Sequence, residues 1–199
     1  MLENIFSTPI EYLGVKDDIF ISEVNSLYEE CEKNDLFKNN WMPGNDTTPT
    51  TYKSHHNILE NNEYLTKFIE RKSEGYLDNV GANFSSVKID CAWFNKQNKL
   101  QAVGLHNHRH PSLAQAVSGV FYVKTNNDPN QGKIVFKSHD PFDCEFPSNL
   151  KNVKYNWEVS YSAIQNNMMF FPSTIQHKVT PNNTDFERVV LSFNIEIVK

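Results

Sequence analysis

The chain has 199 residues and a net charge of −5, and it is rich in aromatic side chains, with 14 Phe and 8 Tyr. That length suits one domain over 1–199 with a sizeable core, and the aromatic content excludes disorder by composition. The acidic balance argues against a nucleic-acid partner, and Cys31, Cys91 and Cys144, with no CxxC spacing, exclude a zinc knuckle or a disulfide framework.

The opening stretch MLENIFSTPIEYLG has neither the basic region nor the apolar core of a secretory leader, so a cytoplasmic protein is expected. Residues 17–35 predict a helix. Asp17 or Asp18 can cap it, and Phe20, Val24, Leu27, Tyr28 and Cys31 share one face. Pro43, Gly44 and Pro49 punctuate a loop over 39–57. A second helix is expected over about 60–80, with Leu65, Phe68, Ile69, Tyr76 and Leu77 as its apolar stripe. Both helices are expected to precede any strand, which makes 1–82 a mostly helical N-terminal part. No apolar run approaches ~20 residues, so no membrane span is expected.

From Val87 the period changes to two. Val87, Ile89, Cys91 and Trp93 alternate with Lys88, Asp90 and Ala92. Val117–Val123, Lys133–Phe136, Trp157–Tyr161 and Met168–Phe171 are short strand candidates between Pro, Gly and Asn. In the last strand Val189, Leu191, Phe193, Ile195 and Ile197 face one way, and Arg188, Val190, Ser192 and Asn194 the other. Helices followed by many strands predict an α+β, mainly β chain whose residues 87–199 form an antiparallel sandwich or barrel.

The feature that carries chemistry is His106-x-His108-x-His110, with His177 and Arg188 far downstream. Alternating strand residues share a face, so two such imidazoles can converge on one metal ion. Iron with open positions is typically held by two His and one carboxylate. In His108-Arg109-His110 a His stands where His-x-Asp/Glu would place that carboxylate. His106 lies two strand steps, ~6.6–7 Å, from His108 and could replace either neighbour or line the pocket. His55, His56 and His139 read as ordinary loop or surface residues.

The stretches HRHP at 108–111, SGVFYVK at 118–124, MMFFPSTIQHKV at 168–179 and ERVVLSFNI at 187–195 occur in this order. Together with Phe6-Ser-Thr-Pro9 and Ala92-Trp-Phe-Asn95, they resemble a small group of Fe(II)/2-oxoglutarate-dependent oxygenases. The resemblance covers nearly the whole chain. It implies a double-stranded β-helix, a jelly-roll, cupin-like barrel with N-terminal flanking helices. It implies Fe(II) as metal, with O₂ and the co-substrate 2-oxoglutarate, and His108, His110 and His177 as ligands.

The same resemblance implies that Arg188 receives the far carboxylate of 2-oxoglutarate, which wants a planar, always-charged, two-pronged partner. Tyr122 is expected to assist, Asn194 and Ser192 to line the same pocket, and Asn95 to reach keto acid or substrate. Val190 departs from the small polar residue common two positions after the Arg, and the stretch PSLAQAV after His110 is longer than usual. The activity implied is hydroxylation of a C–H bond, on a peptidyl side chain or a small molecule, with release of succinate and CO₂. The alternative is a non-catalytic or 2-oxoglutarate-independent cupin-like metal-binding jelly roll. A homodimer is compatible with the sequence and not required by it.

Overall fold

The computed structural model describes residues 8–39, 48–108, 115–137 and 158–198. The elements in chain order are β1 (Glu11–Gly14), α1 (Asp18–Lys33), β2 (Lys38–Asn39), β3 (Pro49–Thr50), α2 (Glu63–Asn79), β4 (Ser86–Gln97), β5 (Val103–His106), β6 (Gln115–Lys124), β7 (Ile134–Lys137), β8 (Glu158–Tyr161), β9 (Asn167–Pro172), β10 (His177–Val179) and β11 (Arg188–Val198). No helix among the described residues is long and apolar enough to cross a membrane.

Both helices start where a side-chain oxygen can take an orphan amide. Asp17 accepts from the Phe20 N–H at 2.9 Å, and Asn62 accepts from the Leu65 N–H at 2.9 Å. Such caps are each worth about 1 kcal/mol. After α2 the chain turns through Gly81 at φ 72°, a conformation that favours glycine. The Gly81 and Ala82 amides then bond back to the Asp78 and Leu77 carbonyls and satisfy the end of the helix.

The strands form two antiparallel sheets. One has the order β1-β9-β6-β11-β4-β3-β2, the other β5-β10-β7-β8. The helices cover the outer face of the larger sheet. There Phe20 stacks on Phe68 at 4.1 Å, and both pack with Val87, Phe121, Leu191 and Phe193. A second core lies between the sheets and includes Tyr122, Phe136, Met169, Phe171 and Val190. This is the double-stranded β-helix that the resemblance implied. Gly119 lets β6 pack closely against its neighbours β9 and β11. A Cβ there would lie 2.4 Å from the Phe193 ring and 2.7 Å from the Met169 carbonyl of the next strand.

Two expectations are corrected. Strand β1 precedes α1, and β2 and β3 lie between the helices, so the helices do not come before every strand. These pieces are two to four residues long. Partners on other strands define them, and no period of their own reveals them. The alternation along β4 also changes parity. Opposite β11 the register steps from Cys91↔Asn194 to Ile89↔Ile195, leaving Asp90 as an extra, bulged residue. Val87 and Ile89 therefore share the helix-side core with Ala92 and Phe94, whereas Trp93 and Asn95 line the cavity between the sheets. On β11 the expected faces hold: Val189, Leu191, Phe193 and Ile195 join the helix-side core, and Arg188, Val190, Ser192 and Asn194 line the cavity.

Candidate functional site

Strands β5 and β10 pair antiparallel with His106 directly opposite His177. Directly paired residues put their side chains on one face, so the two rings lie side by side, 4.3 Å between centroids. The chain leaves β5 after His106, and the His108 amide bonds to the Ser173 carbonyl at 2.9 Å. Freed from strand geometry, His108 swings toward its neighbours. Its ring lies 5.1 Å from that of His106 and 5.1 Å from that of His177.

One ring nitrogen from each of His106, His108 and His177 falls within 4.8 Å of the others. The His108 Nε2 and His177 Nε2 are 3.3 Å apart. That is close to the ~3 Å separating two nitrogens that share one divalent ion through bonds of about 2.1 Å at right angles. The tautomers fit a metal. His177 Nδ1 faces the Ile175 carbonyl at 3.1 Å and His106 Nδ1 faces the Gly104 carbonyl at 2.8 Å. A carbonyl only accepts, so each Nδ1 carries the hydrogen, and in the neutral ring Nε2 keeps its lone pair. Burial holds His177 well below the ordinary imidazole range, and burial with His106 alongside pushes His108 down to about 3. Neutral rings with bare Nε2 atoms are what a cation needs.

The facing wall comes from the larger sheet. Arg188, at the start of β11, is 3% exposed, and burial lowers its pKa. Its guanidinium carbon lies over the Tyr122 ring at 5.3 Å, and its Nη1 donates to Gln97 Oε1 at 3.4 Å. Among the described residues it forms no ion pair, and its Nε has no hydrogen-bond partner. The Tyr122 hydroxyl beside it is also buried and without a partner, and burial pushes it up to about 12. A buried cation without an ion pair among the described residues, beside a buried hydroxyl, is costly unless an anion meets it.

Arg188 and the three imidazoles line one cavity of about 310 Å³. Asn95, Trp93, Tyr52, Ser192 and Asn194 also line it. The Asn95 amide donates to Ser192 Oγ at 3.0 Å, and Asn194 Oδ1 accepts from Ser118 Oγ at 2.7 Å. Asn194 also donates to Cys91 Sγ at 3.3 Å, so its amide is largely held by the protein. Trp93 packs on His108 with ring centroids 5.8 Å apart, and Tyr52, half exposed, meets Trp93 at 5.1 Å.

The structure thus brings together His106, His108, His177, Arg188, Tyr122, Ser192, Asn194 and Asn95. Among the described residues His106 is the third imidazole of the cluster; His110, which the sequence reading gave as a ligand, lies outside them. His139 also lies outside them, while His55 and His56 are exposed and apart from the cluster. Sequence reasoning missed Gln97, a polar residue with no motif around it, and Trp93 as a wall of the cavity.

The fold is shared with solved structures at low identity. A Pseudomonas putida prolyl-4-hydroxylase is 11% identical, with a TM-score of 0.66 over 96% of this chain and 93% of that one. The α-ketoglutarate-dependent non-haem carbocyclase SnoK from nogalamycin biosynthesis is 9% identical, with a TM-score of 0.68 over 96% and 80%. HygX from Streptomyces hygroscopicus, solved with nickel and 2-oxoglutarate bound, is 12% identical, with a TM-score of 0.61 over 95% and 83%. No curated protein matches the chain by sequence. The family model described as "Putative 2OG-Fe(II) oxygenase" matches residues 91–194, more than half the chain and nearly every residue of the cavity. The three-imidazole cluster and the buried Arg188 lie inside that span, and the chain belongs to the 2OG-Fe(II) oxygenase family.

Proposed function

We propose that the protein is a 2-oxoglutarate-dependent dioxygenase in which His106, His108 and His177 hold Fe(II), and Arg188 with Tyr122 receives the far carboxylate of 2-oxoglutarate. The observation that carries this reading is a buried guanidinium, without an ion pair among the described residues, sharing a cavity with three clustered imidazoles. One end of the cavity asks for a cation and the other for an anion, and a metal-chelating dicarboxylate meets both demands. When bound, iron and 2-oxoglutarate supply the oxidising chemistry: O₂ is consumed, succinate and CO₂ leave, and a C–H bond of the substrate is hydroxylated.

The protein's share is binding, orientation and exclusion of water. The Ile175 and Gly104 carbonyls fix two imidazole tautomers and aim their Nε2 atoms into the cluster. Phe136 and Phe171 pack on His177 at 5.9 and 4.9 Å and keep that side dry. Arg188 and the Tyr122 hydroxyl supply two-pronged recognition of a carboxylate. Asn95 and Ser192, paired to each other, present polar atoms on the same wall. Trp93 and the half-exposed Tyr52 form the approach for substrate, a small molecule or a peptidyl side chain.

The assignment is tested by anaerobic titration of Ni(II) into the wild type and into His106→Ala and His110→Ala, with wild-type turnover of 2-oxoglutarate to succinate measured with Fe(II) and ascorbate. His106→Ala is expected to lose tight metal binding and His110→Ala to keep it. The opposite pattern would assign the third ligand to His110. A wild type that binds metal but never 2-oxoglutarate would remove the dioxygenase reading.

A further inference from the structure

Gln97 ends β4 as the direct cross-strand partner of Arg188 on β11. It is 1% exposed, and its amide is held on three sides. Nε2 donates to the Gln101 carbonyl at 2.5 Å and to the Thr180 carbonyl at 3.1 Å. Gln101 leads into β5, which carries His106, and Thr180 follows β10, which carries His177. One side chain therefore ties the arginine's strand to both strands of the imidazole cluster. Two carbonyls require the nitrogen on their side, so the amide can present only its oxygen to Arg188. Gly132, at φ 70°, seals the back. A Cβ there would lie 3.0 Å from Gln97 Oε1 and 3.5 Å from Arg188 Cδ.

A neutral amide is a particular choice for this place. It accepts a hydrogen bond from Nη1 and so fixes the guanidinium, yet it leaves the positive charge uncompensated. A carboxylate at the same place would fix the arginine equally well and neutralise it. We propose that Gln97 is the positioning residue that keeps Arg188 oriented and unpaired, and thereby selects a 2-oxo acid with a second carboxylate over one without. This inference rests on the proposed function, because it assumes that Arg188 meets the far carboxylate of the co-substrate.

The test compares 2-oxoglutarate with 2-oxobutanoate, which keeps the chelating keto acid and lacks the far carboxylate. Both are titrated calorimetrically into the full chain loaded with Ni(II), for the wild type, Gln97→Glu and Gln97→Met. Thermal unfolding of each loaded protein is recorded alongside. In Gln97→Glu the new carboxylate occupies Arg188, so the preference for 2-oxoglutarate should fall by about 10–100-fold, the scale of a hydrogen bond to a charged group. Affinity for 2-oxobutanoate and for Ni(II) should stay within a few-fold of wild type. One oxygen of that glutamate would meet the Gln101 and Thr180 carbonyls, a repulsion that opposes folding and that the thermal unfolding reads. Gln97→Met keeps the length without charge and should lower the preference by a smaller factor.

A wild type without preference for the dicarboxylate would overturn the role of Arg188, and with it the proposed function. A wild-type preference that survives in a folded Gln97 variant would overturn the role of Gln97 alone. A parallel loss for both oxo acids would make Gln97 a structural residue only, and would overturn the proposal equally.

Discussion

Arg188→Met separates function from stability in an unusual direction. Among the described residues the guanidinium has a long hydrogen bond to Gln97, at 3.4 Å, and a place over the Tyr122 ring at 5.3 Å. The first contributes about 0.5–1.5 kcal/mol and the second about 0.5–2 kcal/mol. Against them stands the desolvation of a cation 3% exposed with no ion pair among the described residues, an effective penalty of several kcal/mol. Methionine matches the side chain's stem as far as Nε and carries no charge. The metal-free variant should therefore equal the wild type or exceed it by up to a few kcal/mol. At ~2–4 °C per kcal/mol for a chain of this size, the melting temperature should hold or rise by several degrees. Binding of 2-oxoglutarate to the Ni(II)-loaded protein should collapse. Two charge-assisted hydrogen bonds at about 1.5–3 kcal/mol each correspond to roughly 10²–10⁴-fold in affinity. Urea denaturation and calorimetric titration of the same samples give both numbers. A metal-free variant destabilised by more than about 2 kcal/mol would refute the reasoning, because that is the signature of breaking a buried ion pair.

Gly119→Ala should destabilise by about 3 kcal/mol or more, since its Cβ would meet the Phe193 ring at 2.4 Å and the Met169 backbone at 2.7 Å. Urea melts would show it, and an unchanged midpoint would mean that β6 and β9 can separate freely. Alkaline pH should unfold the protein cooperatively. Burial pushes the Cys31 and Cys91 thiols up to about 11 and about 12 from an ordinary 9.0. Their contribution is full below pH 9, where neither state ionises. It is lost as pH rises through 9 toward 11–12, because only the unfolded chain releases the protons there. Cys91→Ala should flatten that slope in urea melts taken from pH 8 to 10, and an unchanged slope would assign the pH dependence to other groups.

Local chemistry was readable directly from the chain. Asp17, one of the two cap candidates before the apolar stripe, caps α1, and β11 shows its two faces in plain alternation, with Arg188, Ser192 and Asn194 turned to the cavity. Both signals arise from residues a few positions apart, linked through one backbone period. The histidine spacing was equally visible, and so was the demand for a downstream arginine.

Tertiary structure decided the rest, because it depends on register between strands remote in sequence. Strands β5 and β10 are four and three residues long, too short for any period, and they exist through pairing with each other and, for β10, with β7. That pairing sets His106 opposite His177 and draws His106 into the cluster. An ideal strand would have held it a full two-residue step from His108. The bulge at Asp90 inverted the parity of β4, turning Trp93 and Asn95 into the cavity, and no count along the chain could foresee it. Gln97 had no motif to announce it. Its meaning comes from two carbonyls and a guanidinium that approach from three different strand ends.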